Sequence, residues 1–94
     1  MSETANAVEW CNDTLREWEE ANRDVFELRF NDTEDSSLLR KARINRAEKK
    51  LATAAIRASV ATMIQDLMKA TERGAVTLEI PGADLDMRLT WNKN

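Results

Sequence analysis

The chain has 94 residues, of which 43% are hydrophobic and 33% are charged, and its formal net charge is −3. This length and composition predict one small, helix-rich globular domain over residues 1–94. The chain contains no histidine and one cysteine. It therefore lacks the commonest general base and metal ligand and can form no internal disulfide. We expect a non-enzymatic protein with no catalytic residues, no cofactor and no metal site.

A cytoplasmic location is expected. No secretory signal is recognisable, and Arg57, Gln65 and Asp66 interrupt the most apolar stretch, so no run is long enough to cross a membrane. The single cysteine also suits a reducing compartment. We expect no contact with a membrane.

Acidic and basic residues are segregated along the chain. Residues 1–35 hold eleven acidic and three basic residues, a net charge of −8, whereas residues 36–73 hold nine basic and three acidic residues, a net charge of +6. The small overall charge therefore hides an acidic element followed by a basic one.

Helical spacing predicts a first helix over about residues 5–30, preceded by a frayed end with Ser2 or Thr4 as the N-cap and followed by Asn31 as a left-handed C′ residue. The expected buried seam has apolar residues three and four positions apart, with one asparagine at a core position. Its members are Val8, Cys11, Leu15, Trp18, Asn22, Val25 and Phe26.

A second, longer helix is predicted over about residues 37–73, which contain neither Gly nor Pro. Asp35 or Ser36 is the expected N-cap, and Gly74 is the expected left-handed C′ residue. An alanine-rich seam should pack against the first helix in an antiparallel hairpin that places Cys11 near Ala58. This seam comprises Ile44, Ala47, Leu51, Ala54, Ala55 and Ala58.

The second helix carries another apolar stripe, which one neighbouring helix cannot cover. We therefore expect a homodimer whose interface includes Ile56, Val60, Met63 and Leu67.

After Gly74 the apolar residues alternate with polar ones, which predicts a β-hairpin over about residues 75–91 with a turn at Pro81-Gly82. The apolar face of this hairpin should cover the exposed end of the second helix. The predicted fold is mainly α, of the α+β class: a long antiparallel helical hairpin followed by a C-terminal two-stranded β-hairpin.

The clearest functional pattern is an acidic stripe on the first helix, placed opposite its apolar seam and so directed at solvent rather than at the basic helix. Neighbouring carboxylates are about 5–6 Å apart along the axis, a spacing broadly similar to that of nucleic-acid phosphates. This stripe consists of Glu9, Asp13, Glu17, Glu20, Asp24 and Glu27.

Three functions remain open at this point. The first is a module that binds a protein through the acidic stripe, in its most specific form an inhibitor that imitates nucleic acid, by analogy with accessory proteins of phages and mobile elements. The alternative is a nucleic-acid-binding regulator, because four bases share one face of the second helix: Arg43, Arg46, Lys50 and Arg57. The third is an oligomeric assembly protein whose charges provide solubility. Trp10 is either an interface anchor or packed under the β-hairpin.

Overall fold

The computed structural model describes residues 3–30, 38–79 and 86–93. Over these residues the elements are strand β1 (Glu3–Asn6), helix α1 (Ala7–Phe30), helix α2 (Leu38–Ala70), strand β2 (Arg73–Glu79) and strand β3 (Asp86–Asn92). The prediction of a mainly α protein with a C-terminal β part is confirmed. Several predicted features lie outside the described residues: the Ser2 cap, Asn31, the Asp35 or Ser36 cap, and the Pro81-Gly82 turn.

The start of α1 differs from the prediction. Asn6 caps this helix, because its side-chain oxygen accepts hydrogen bonds from the backbone N–H groups of Val8 at 2.9 Å and Glu9 at 3.2 Å. Thr4 belongs to β1 and pairs with Arg88 of β3, so it is neither frayed nor a cap. The prediction was wrong because the strand that orders this segment lies near the other end of the sequence.

The two helices form the predicted antiparallel hairpin. Near the sheet, the Cys11 thiol donates to the carbonyl oxygen of Ala61 at 3.5 Å. Towards the other end, Arg40 donates to the carbonyl oxygen of Leu28 at 3.3 Å. Cys11 therefore meets α2 about one helical turn beyond Ala58, its predicted neighbour.

The buried seam of α1 is rotated relative to the predicted one. Of the residues expected in the core, Trp18 and Phe26 are exposed, and so are Val8 and Asn22. Ala7 and Ala21, which precede Val8 and Asn22, are buried instead. The rotation amounts to roughly 50° about the helix axis, half of the 100° between successive residues. The prediction followed the larger side chains, whereas small alanines let the helix approach its neighbours most closely. The buried residues of α1 are Ala7, Cys11, Thr14, Ala21 and Val25.

The end of α2 also corrects a prediction. The helix stops at Ala70, and Thr71 closes its last turn through backbone and hydroxyl hydrogen bonds to the carbonyl oxygen of Leu67, at 3.1 and 2.8 Å. Gly74 lies inside β2 and is not a helix C′ residue. Its role is to make room, since a Cβ there would lie 2.9 Å from two ring carbons of Trp91.

The β part is a three-stranded sheet in the order β1-β3-β2, and not the predicted two-stranded hairpin. β2 and β3 pair antiparallel, as predicted, with Val76 opposite Leu89. β1 adds a parallel strand on the other side of β3, with Ala5 opposite Leu89. The apolar face of the sheet packs on α2, as expected for the predicted hairpin, and also on α1, in a cluster of Ala7, Cys11, Ala61, Ile64, Met68, Leu89 and Trp91.

The molecule is long and thin, with extents of 55 × 27 × 14 Å. The helices lie side by side, and the buried residues of α2 all fall between Ala58 and Met68. The sheet therefore covers one end of the helical hairpin. Over the remaining length the molecule is a two-helix layer with a much smaller core.

Candidate functional site

A groove runs between α1 and α2 beyond the end that the sheet covers. It consists of two adjoining cavities of about 540 and 460 Å³, which share Asp24 and Lys50. One wall carries acidic side chains and the other carries basic ones. We call this feature the charged groove and define it by Glu17, Glu20, Asp24 and Glu27 of α1 with Arg43, Arg46, Lys50 and Arg57 of α2.

Helical spacing explains how the groove is assembled. Trp10, which packs against the core cluster, precedes Glu17 by seven residues, and Glu17 precedes Asp24 by seven, so the three lie on one face of α1. On α2, Arg57 comes one turn before the buried Ala61. The sheet covers one end of this face of the helical hairpin, and the groove lies on the same face towards the opposite end.

The structure corrects the predicted surroundings of the acidic stripe. All six of its carboxylates are exposed, as expected. Four of them nevertheless face a groove that also contains every base of the predicted nucleic-acid-binding set. The cause is the rotation of α1, which moves its acidic side towards α2. Four of the six acids and all four bases of the two surfaces considered as alternatives therefore line one groove.

No ion pair within 4.0 Å crosses the charged groove between its four acids and four bases. Ion pairs form beside it, where Arg16 bonds Asp13 along α1 and Arg29 of α1 bonds Glu48 of α2. Arg57 is the most enclosed base, and its Nε atom is buried without a hydrogen-bond partner. The groove therefore holds opposite charges on its two walls that are not joined by ion pairs.

The predicted oligomer interface lies elsewhere on α2. Ile56, Met63 and Leu67 are 59%, 66% and 48% exposed. Val60, the fourth member, is half-buried and packs against the core cluster. The stripe is therefore anchored at one position and open to solvent at the other three.

The structure also places the remaining candidates from the sequence. Trp10 is half-buried and packs against the cluster beneath the sheet. Cys11 is buried, and this burial raises the pKa of its thiol. A protonated thiol bonded to a backbone carbonyl is a core group rather than a nucleophile.

One apolar surface was not predicted. The rings of Phe26 and Phe30 stand 4.6 Å apart on α1, and Leu38 and Leu39 begin α2; all four are exposed. This surface could have been predicted from the sequence, because large apolar residues lie on either side of the predicted connection between the helices.

Comparison with protein-family models, with characterised proteins and with solved structures finds no match to this chain. Among residues 3–30, 38–79 and 86–93, no group of three or more acidic or cysteine side chains is placed to hold a metal ion. No helix in this described part of the chain is long and apolar enough to span a membrane.

Proposed function

We propose that this chain is a non-enzymatic protein-binding module whose contact surface is the acidic side of α1 together with the charged groove. One observation carries the proposal. The carboxylates along α1 are exposed, and those in the groove have no ion-pair partner across it. Such charges are available to a second protein, and charges of both signs on two walls would fix the orientation of that partner.

A protein fits this surface better than a nucleic acid does. Salt screens charges only beyond about 8 Å under physiological conditions. A phosphate drawn to Arg46 or Lys50 would therefore be repelled by Glu20 and Asp24 in the same groove. A protein surface can present a base to one wall and an acid to the other, so both walls contribute attraction.

The most specific form of the proposal is an inhibitor that imitates nucleic acid. It depends on carboxylates of α1 that lie outside the charged groove, such as Glu9 and Asp13, which line neither of its cavities. Along one helix face, carboxylates recur about every 5–6 Å. A partner with a basic groove for DNA or RNA would meet this edge of α1.

Reversing the charge of the acidic wall tests the proposal. In a variant with Glu17→Lys, Glu20→Lys and Asp24→Lys, we expect the partner captured by the tagged wild-type protein to be lost. The measurement is chemical crosslinking in cells of the source organism, followed by affinity capture and quantitative mass spectrometry. Circular dichroism checks that the variant remains helical.

The matched control reverses three exposed acids outside the groove, Asp66→Lys, Glu72→Lys and Asp86→Lys. It changes the net charge equally, so it should capture the same partner as the wild type. Equal capture by all three proteins would remove the acidic wall as the contact surface.

A nucleic-acid-binding regulator remains the second candidate, because Arg43, Arg46 and Lys50 are exposed and form no ion pair across the groove. Fluorescence anisotropy with duplex DNA and single-stranded RNA separates the two functions. Binding that weakens steeply with salt, and that Arg46→Glu with Lys50→Glu abolishes, would favour this second function.

A further inference from the structure

Strand β2 has an open edge. β3 occupies the centre of the sheet, and no described strand pairs with the other side of β2. Open edges are usually protected by charged side chains, especially lysine, by a proline, by a bulge or by a very short strand. β2 is seven residues long, Arg73–Glu79, contains neither lysine nor proline, and carries charges only at its two ends. Its edge is thus suited to pairing with another strand.

We propose that a second copy of this chain pairs with β2, antiparallel about a twofold axis at Val76, to form a six-stranded sheet across two subunits. In this register Arg73 lies opposite the partner's Glu79, and Glu79 lies opposite the partner's Arg73. The charges at the two ends of β2 are therefore self-complementary. Both residues are exposed on the face of the sheet away from the helices, so the two pairs would form on one surface.

In this dimer, the exposed apolar stripe of α2 lies at the same level as the twofold axis at Val76. Val76 is three residues from the start of β2, or roughly 10 Å along the strand. Met63 is seven residues from the end of α2, also roughly 10 Å along the helix. Because a two-residue segment joins these elements, the proposed dimer places Met63 level with its twofold axis. Two copies of Ile56, Met63 and Leu67 would then meet beside the paired strands.

The apolar stripe also lies on the side of α2 that is turned away from α1, which is the side of the open β2 edge. α1 packs against β1 and β3, and the order β1-β3-β2 places β2 on the side of the sheet away from β1. On α2, Ala58 is buried outside the cluster under the sheet, so α1 must cover it. Ile56, Met63 and Leu67 lie about 140–180° around the helix from Ala58. The stripe and the open edge therefore face the same neighbour.

A charge swap on β2 tests this dimer. By sedimentation equilibrium, we expect the wild type to reach twice its chain mass of 10.7 kDa. Arg73→Glu or Glu79→Arg alone places like charges opposite each other twice and should raise the dimer dissociation constant about tenfold. The double variant R73E/E79R restores both pairs and should recover dimerisation. The control Arg88→Glu, on the central strand, should leave the constant unchanged.

Crosslinking checks the register. Ala75 would lie opposite the partner's Thr77, at a Cα separation of about 4.5–5.5 Å that a disulfide can bridge. An oxidised mixture of Ala75→Cys and Thr77→Cys chains should yield more covalent dimer than either variant alone. No enrichment, or a single-chain mass for the wild type at submillimolar concentration, would overturn the arrangement. This interface shares no residue with the charged groove, so the dimer and the proposed function succeed or fail separately.

Discussion

The smallest residues determine how closely the elements of this protein approach one another. Ala7 and Ala61 are fully buried where α1, α2 and the sheet meet. Gly74 leaves the space beneath the ring of Trp91, whose Nε1 atom donates to the Thr71 hydroxyl at 3.1 Å. Trp91 therefore joins the end of α2 to the sheet, and this contact depends on the absence of a side chain at residue 74.

We expect Gly74→Ala to lower the free energy of unfolding by about 1–3 kcal/mol, the usual cost of overpacking a core. The added methyl group would force the Trp91 ring to move and would weaken its hydrogen bond to Thr71. Urea denaturation followed by tryptophan fluorescence measures the change. Ala75→Val, on the exposed face of the same strand, enlarges a side chain without this clash and should change the stability by less than about 0.5 kcal/mol. Equal effects of the two substitutions would contradict the proposed role of Gly74.

At the scale of helices and strands, local sequence patterns were sufficient to predict the long elements. The absence of Gly and Pro predicted α2, and the alternation around Val76 and Leu89 predicted the β2–β3 pair. β1 could not be predicted, because its four residues carry no alternating pattern and its partner strand begins at Asp86. Non-local pairing leaves no signal in a short segment.

The charged groove was predictable only in part. The spacing of the acids on α1 and of the bases on α2 follows from the sequence, and so does their helical setting. Whether the acids and the bases line one groove depends on how α1 is turned about its axis. In the structure, α1 is turned by roughly 50° relative to the predicted orientation, which is half of the angle between successive residues. That rotation is decided by the burial of Ala21 rather than Asn22, a packing choice that hydrophobic periodicity does not resolve.

The boundary between β1 and α1 gives a second testable consequence. We expect Asn6→Ala to lower the free energy of unfolding by about 1 kcal/mol, because two backbone N–H groups lose their acceptor. Asn6→Asp keeps an acceptor and should retain most of the stability. Thr4→Ala should have little effect, since Thr4 is exposed and does not cap the helix. Thermal denaturation of the three variants measures the differences, and a larger loss for Thr4→Ala would mean that the cap is assigned to the wrong residue.

At the scale of the whole molecule, the sheet divides the helical hairpin into a thick end and a thin one. The core cluster holds α1 and α2 together from Ala7 to Cys11 and from Ala61 to Met68. Along the charged groove, α1 buries Ala21 and Val25, whereas the side chains of α2 there, such as Ala47 and Ala54, are at most half-buried. The candidate site therefore lies on the less firmly packed part of the protein.

Native-state hydrogen exchange should reveal this division. We expect amides of residues 58–68 and of β3 to exchange only through global unfolding, and amides of residues 40–50 to exchange at least about tenfold faster through local opening. Mass spectrometry of proteolytic fragments, with an unfolded-chain reference for intrinsic rates, measures the ratio. Uniform protection along α2 would show that the thin end is as stable as the thick one.

The parallel pairing of β1 with β3 has a consequence for the order of folding. Glu3 lies opposite Met87, so 83 residues lie between two directly paired positions. The helical hairpin and the β2–β3 pair close short loops, whereas β1 must wait until both are in place. During synthesis, β1 emerges from the ribosome before the other described elements, and its partner β3 emerges after them. Of the described elements, we therefore expect the strand that is made first to be the last to pair.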